Sequence, residues 1–306
     1  MSQFVFIITN IILPLFFIIG VGALIQKKFS LHIPSLSKVQ IYVFVPSLVF
    51  YKIYTSSLSS LLIFKVAFYT IAIFILLMAI STGITKIFKF DKGKEKAFIN
   101  ATVLRNTGNY GIPLITLLYA GTSNDYAISV HMIVVITSTV VMYTIGLYNA
   151  SSGSYSGKEA LRNIKGIPTI YMILIAGSLK ALSIELPDAA LSPIIFLSQG
   201  VVPVSLFALG CQLAESKFAI GDVSVYIANF MRLVVSPVIA FGLCLLMKMD
   251  IVTTQVLVIG AATPTAVNSL FLAIEFGGDA EYASETIFLS TILSAFTISV
   301  LIYLIM

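Results

Sequence analysis

Long apolar runs alternate with short polar clusters along the whole chain. The runs fall at about 4–25, 36–54, 61–88, 97–119, 126–148, 167–184, 190–213, 223–248, 251–275 and 281–305. Each is near the ~20 apolar residues a helix needs to cross a bilayer. The pattern predicts an all-α integral membrane protein of ten transmembrane helices, spans one to ten, with little chain left for a soluble domain. The fourth run carries an anomaly at its middle, Asn106-Thr107-Gly108-Asn109-Tyr110-Gly111-Ile112-Pro113. Free backbone groups are costly in hydrocarbon, so an interrupted helix at that depth persists only where protein or a cavity surrounds it. The stretch is therefore a candidate binding site.

Composition agrees: 58% of the 306 residues are hydrophobic and 10% charged, against roughly 25% charged in soluble domains. The net charge of +5 does not point to nucleic acid, because the basic residues sit in short connections between apolar runs, where they act as topology signals. Of the 18 Lys and Arg, twelve fall on one side of the alternating connections, including Lys27, Lys28, Lys38, Lys94, Lys96 and Arg162. Lys52, Lys65, Lys180 and Lys248 fall on the other, and Arg105 and Arg232 lie within spans. The basic side should be cytoplasmic, with both termini outside a cell inner membrane. No basic segment precedes the first run, so it reads as a retained span rather than a signal peptide. Cys211 and Cys244 lie in apolar runs without metal or redox spacing and read as small core residues.

The longest polar segment, 149–166, is a Ser/Gly-rich linker that separates five spans over 1–148 from five over 167–306. An odd number per half would insert two similar halves in opposite orientations. Val45-Pro46 is echoed by Val202-Pro203, Gly121 by Gly277, and Asp125-Tyr126-Ala127 by Glu281-Tyr282-Ala283, all at an offset of 156 or 157. The same offset carries the anomaly onto Ala262-Thr263-Pro264-Thr265-Ala266-Val267-Asn268-Ser269. Paired interrupted segments in inverted halves point to the binding site of a secondary transporter.

In Asn106-Thr107, Gly111-Ile112-Pro113-Leu114 and Gly121, and again in Ala262-Thr263-Pro264, Ala273, Glu275 and Phe276, the chain resembles the auxin efflux carrier family. That family includes the plant auxin exporters and bacterial permeases of organic anions. The resemblance implies two inverted five-helix repeats with crossed, broken spans four and nine, similar to sodium/proton antiporters and bile-acid symporters. Spans one, two, six and seven would form a scaffold through which a homodimer could pair. Spans three to five and eight to ten would form a mobile transport domain. Asn106 would be a ligand at the crossover, and Pro113 and Pro264 the helix breakers. Ser269 stands where the plant carriers have a second proline, and the linker is far shorter than theirs, so a microbial carboxylate permease is the nearer relative.

A broken helix exposes N–H groups at one half's start and carbonyls at the other half's end. The N-terminal ends suit a carboxylate, and Asn106, Thr107, Asn109, Thr265 and Asn268 could add neutral hydrogen bonds. The alternative is that these residues only satisfy the freed backbone. Arg105 either snorkels to the cytoplasmic end or attracts anions, and Arg232 has the same two readings. Glu275 and Glu285 flank the turn between spans nine and ten and read as interfacial partners of Lys or Arg, with cation coupling as the alternative. His131 reads as a hydrogen-bonded structural residue or a proton relay. Pro46 and Pro203 should kink spans two and seven where the scaffold faces the site, whereas Pro14, Pro193 and Pro237 read as ordinary kinks.

No Walker A, HExxH or GxSxG sequence is present, nor paired mid-span aspartates. The expectation is a non-enzymatic carrier, without cofactor or metal, that moves a small mono- or dicarboxylate such as malate or malonate. The alternatives are a cation/proton antiporter of related fold and, in another class, a membrane receptor or sensor for an organic anion.

Overall fold

The computed structural model describes residues 3–56, 58–120, 125–151, 158, 162–163, 165–216 and 221–306, and among these every regular element is helical. In chain order the helices are α1 (Gln3–Phe29), α2 (Ile33–Thr55), α3 (Ser60–Ile87), α4 (Lys92–Val103), α5 (Ile112–Leu118), α6 (Asp125–Ala150), α7 (Pro168–Ala181), α8 (Asp188–Glu215), α9 (Val223–Leu246), α10 (Ile251–Ala261), α11 (Asn268–Glu275) and α12 (Ala280–Ile305). Seven of them, α1, α2, α3, α6, α8, α9 and α12, are long and apolar enough to cross a membrane, while α7 and α10 are shorter apolar helices. Gly121 and linker positions 152–157, 159–161 and 164 lie outside the described residues.

The helix starts are written in the sequence. Ser59, Asp91, Asp222, Asp250 and Asp279 each stand before a helix and accept from a backbone N–H of its first turn, which supplies a donor group with its missing partner. At the basic end Lys94 of α4 pairs with Asp222 ahead of α9 at 2.6 Å. Around the outside, large apolar side chains such as Phe17, Phe64, Leu246 and Phe296 are exposed, a belt that suits lipid rather than water.

The prolines leave a regular mark. Five π-helical turns interrupt the helices, and four of them end two residues before a proline: Ile8–Ile12 before Pro14, Gln40–Phe44 before Pro46, Thr107–Gly111 before Pro113 and Met231–Val235 before Pro237. Proline lacks an N–H and its ring crowds the carbonyl four residues back, so the preceding turn widens. Three of the widened turns hold Gln40, Asn109 and Arg232, which recur below.

The helices pack in two sets. α1 packs chiefly on α8, and α2 on α7 and α8, while α3, α4, α6 and α9 to α12 pack mainly among themselves and α5, with the Thr107–Gly111 turn before it, packs on both α8 and α6. The α1–α8 contact is close because both sides offer glycine. A Cβ on Gly22 would stand 2.2 Å from the Phe207 carbonyl oxygen, and one on Gly210 would stand 2.0 Å from that of Ile19. Cys211 lies buried in this seam, its Sγ 3.4 Å from the Gly22 oxygen.

Candidate functional site

Span four breaks before the π turn. α4 ends at Leu104, which is extended (φ −80°, ψ 114°), and the chain resumes helical winding only after Asn106. Pro113 lies in the first turn of α5, so its effect is the π turn and the break stands further back. In the second half the break lies between α10 and α11 and contains Pro264 itself. The two breaks meet. The Asn106 N–H donates to the Pro264 carbonyl at 2.9 Å and the Ala266 N–H to the Leu104 carbonyl at 3.0 Å, forming a short antiparallel bridge centred on Arg105 and Thr265. Each interruption thus satisfies backbone groups that the other frees.

The remaining carbonyls at the two helix ends are taken by side chains. Thr265 Oγ1 donates to Ala101 O at 2.9 Å, and Thr263 Oγ1 to Gly260 O at 2.8 Å. Arg232, fully buried on α9, donates Nη1 to Thr102 O at 2.8 Å and Nη2 to Ala261 O at 2.5 Å, and also hydrogen-bonds the Ser236 hydroxyl. One guanidinium therefore joins the C-terminal ends of α4 and α10. Each such end carries roughly half a negative charge, so two of them about balance one arginine.

Arg105 has no such partners. It is 7% exposed, and neither Nη1 nor Nη2 has a hydrogen-bond partner. Its neighbour Tyr69 donates its hydroxyl to Leu257 O at 3.1 Å. Asn106 caps the following turn by accepting from the Asn109 N–H at 3.1 Å, which leaves its Nδ2 buried and unpartnered. Among the described residues neither arginine forms an ion pair. A desolvated cation and an idle amide donor remain at the crossing, an arrangement that favours an anion.

Several predicted residues converge here. Arg105, Asn106, Pro264 and Thr265 form the bridge, and Thr107 O lies 2.9 Å from His131 Nε2, leaving Nδ1 of this fully buried ring unpartnered. Asn109 Oδ1 accepts from Gln40 Nε2 at 2.9 Å, and the same nitrogen lies 2.6 Å from Ser205 Oγ. Asn268 is exposed and donates to Met142 Sδ at 3.1 Å. Pro46 is buried but Pro203 is exposed, and the residue α8 buries beside it is Ser205. Glu275, exposed at the end of α11, and Glu285, buried just over a turn before Ser290, make no contact with the bridge. Sequence reasoning missed Gln40, Ser205, Ser236 and Ser290, whose only signal is a polar residue inside an apolar run.

A cavity of about 450 Å³ opens at the end of the bundle that carries Lys38, between Pro34 and Ser37 of α2, Gln212 of α8, Val267, and Ser284 of α12. Further along α2 and α8, Leu48, Val49 and Val201 join Ile112, Met132 and Val135 in a buried apolar cluster, and at the end that carries Lys65 and Lys248 a second cavity of about 440 Å³ opens beside Leu62, Tyr126 and Asp250.

Multiple apolar helices around two interrupted segments that cross at a polar, positively charged centre define a polytopic membrane transport protein. The family model described as "Membrane transport protein" matches residues 6–165 and 151–302. The chain belongs to that family, the auxin efflux carrier family to which its motifs point. It is 24% identical over 275 residues, 88% of both chains, to an uncharacterised transporter of Methanocaldococcus jannaschii. It is 26% identical over 269 residues, 85% of both, to another of Methanothermobacter thermautotrophicus. A Rhizobium meliloti protein named "Putative malonate transporter" is 34% identical over 125 residues, 40% of this chain and 39% of that one.

Proposed function

We propose that this protein is a secondary transporter of a small organic anion, a mono- or dicarboxylate of the malonate or malate type. The observation that carries this reading is the set of buried, unpartnered donor atoms at the crossing, Nη1 and Nη2 of Arg105 and Nδ2 of Asn106, with no carboxylate paired to them among the described residues. A cation/proton antiporter would need a titrating acid there. The name of the Rhizobium meliloti relative supports the ligand class.

Ten spans in two inverted repeats, with α1, α2, α7 and α8 as scaffold and the rest as transport domain, account for the two packing sets and the crossed breaks. The mechanism proposed is alternating access by movement of the second set against the first. The cavity at the basic end, with the apolar cluster beyond it along α2 and α8, favours a state open to the cytoplasm. A volume of about 450 Å³ is within the usual range of small-ligand sites. Expelling one negative charge gains about 2.3 kcal/mol per 100 mV, inside negative, enough to drive export.

Purified protein in liposomes loaded with labelled malonate or malate tests the reading. Flux of the anion is expected, and Asn106→Ala and Asn268→Ala should each reduce it with normal expression. Binding without flux would mean a sensor. Proton or sodium flux that needs no anion would overturn the proposal.

A further inference from the structure

Besides the Lys52–Asp125 ion pair between α2 and α6, whose carboxylate is exposed, the two packing sets are joined by a buried polar contact of Gln40. Gln40 is 3% exposed and stands first in the π turn ahead of Pro46 on α2. Its Nε2 bonds Asn109 Oδ1 at 2.9 Å and Ser205 Oγ at 2.6 Å, so both of its N–H groups are committed. Ser205 lies on α8 in the same set as α2, whereas Asn109 lies in the turn that joins α4 to α5, continuous in the chain with the other set and packed against α8. That turn is accessible: Asn109 and Gly108 are half-buried, and a Cβ on Gly108 would meet nothing within 4 Å. Gln40 lies one turn along α2 from Ser37, and Ser205 two turns along α8 from Gln212, both of which line the cavity. Gln40 and Ser205 thus stand, along α2 and α8, between the cavity lining and Asn109.

From this geometry we infer that Gln40 is a ligand-released latch. In the empty protein its amide ties Asn109 to Ser205 and holds the two sets in the present arrangement. A carboxylate oxygen accepts a hydrogen bond more strongly than the Asn109 amide oxygen does. A carboxylate that reaches Gln40 therefore draws its N–H groups away and frees Asn109 to move with its own set. The inference rests on the transporter reading and adds to it the residue by which ligand occupancy is linked to movement. Buried polar side chains are otherwise expected to pair within one rigid set, where breaking the pair would lower stability without changing which side is open.

The test uses the full chain with Cys211 and Cys244 replaced by serine and a single reporter, Ser284→Cys, on the cavity wall of α12. The reporter is modified with a membrane-impermeant maleimide applied from the side of the 149–166 linker. Gln40→Leu should lower the ratio of the present arrangement to the alternative about fivefold, the change one hydrogen bond of ordinary net strength makes to a two-state balance, and slow modification as that population falls. Asn109→Ala should do the same, and the double variant should add nothing. Should Gln40→Leu fail to assemble, Asn109→Ala removes the same bond from its other partner. Malonate should slow the reporter in the parent but not in Gln40→Leu. Unchanged modification in a folded Gln40→Leu variant that still transports malonate overturns the latch alone, whereas a parent that carries no malonate or malate overturns the transporter reading.

Discussion

Two buried arginines meet the same crossing in opposite conditions. Arg232 donates to the carbonyls that end α4 and α10, whereas the Arg105 guanidinium lacks partners on both terminal nitrogens. Removing Arg232 leaves the Thr102 carbonyl unpaired in a dry interior, at a cost of about 1–3 kcal/mol, and leaves Ala261 O with the Ser236 hydroxyl alone. Arg232→Met should therefore lower the thermal unfolding midpoint in detergent strongly, and Arg232→Lys, which cannot span both ends, should fall between. Removing Arg105 takes away a charge whose desolvation the neighbouring Tyr69 hydroxyl offsets only in part. Arg105→Met should leave the midpoint unchanged or raise it while abolishing anion flux, and a fall as large as that of Arg232→Met would show that Arg105 is structural. A second pair is set by volume. A Cβ at Gly111 would stand 2.8 Å from His131 Nε2, the atom bonded to Thr107 O. Gly111→Ala should destabilise by about 1–3 kcal/mol through overpacking, and His131→Ala should relieve it. In a thermal-unfolding double-mutant cycle the double variant should lose less than the sum of the two, and simple additivity would refute the contact.

At the scale of elements, glycine shows how packing reverses propensity. In an open helix Gly→Ala is favourable by about 0.5–1 kcal/mol, and Gly20 on α1 has nothing within 4 Å of a would-be Cβ. One position pair further on, Gly22 would place its Cβ 2.2 Å from a backbone oxygen of α8. Gly20→Ala should hold or raise the unfolding midpoint and Gly22→Ala should lower it; equal effects would mean the α1–α8 seam is looser than described. The seven long helices were readable, because apolar run length and acidic or serine caps act locally, and their observed bounds lie within a few residues of the runs. The prolines announced irregular turns, as seen at Pro14, Pro46, Pro113 and Pro237. The break at Leu104 to Asn106 was misplaced by those same prolines, since it is stabilised by pairing with residues far along the chain rather than by any local breaker. For the same reason the sequence marked Arg232 as anomalous without revealing its partners, which are carbonyls on two other helices. Gln40 and Ser205 were invisible as a pair until α2 and α8 were seen to pack together.

Over the whole molecule, the lining of the basic-end cavity corresponds in sequence to a buried apolar cluster in the other half. The offset of 156 carries Val267 and Ser284, which line the cavity, onto Gly111 and Ile128. Ile128 packs on that apolar cluster, and Ile112 beside Gly111 is fully buried within it. If the halves are inverted repeats, the second state is obtained by exchanging their roles: the contacts around Ile128 loosen while those around Ser284 close. Rigid helices and close-packed seams make such a carrier bistable rather than continuously deformable. Two reporters then have opposite expectations in the background lacking Cys211 and Cys244. Ser284→Cys should react with impermeant maleimide from the linker side in the resting protein, and Ile128→Cys should be protected from the opposite side. During malonate exchange Ile128→Cys should become reactive from that opposite side as Ser284→Cys slows. The sum of the two populations is fixed, so every gain in one rate requires a loss in the other. Rates that rise together, or an Ile128→Cys that stays protected throughout turnover, would rule out alternation between these two surfaces and leave the positive crossing to serve a fixed pore or a receptor instead.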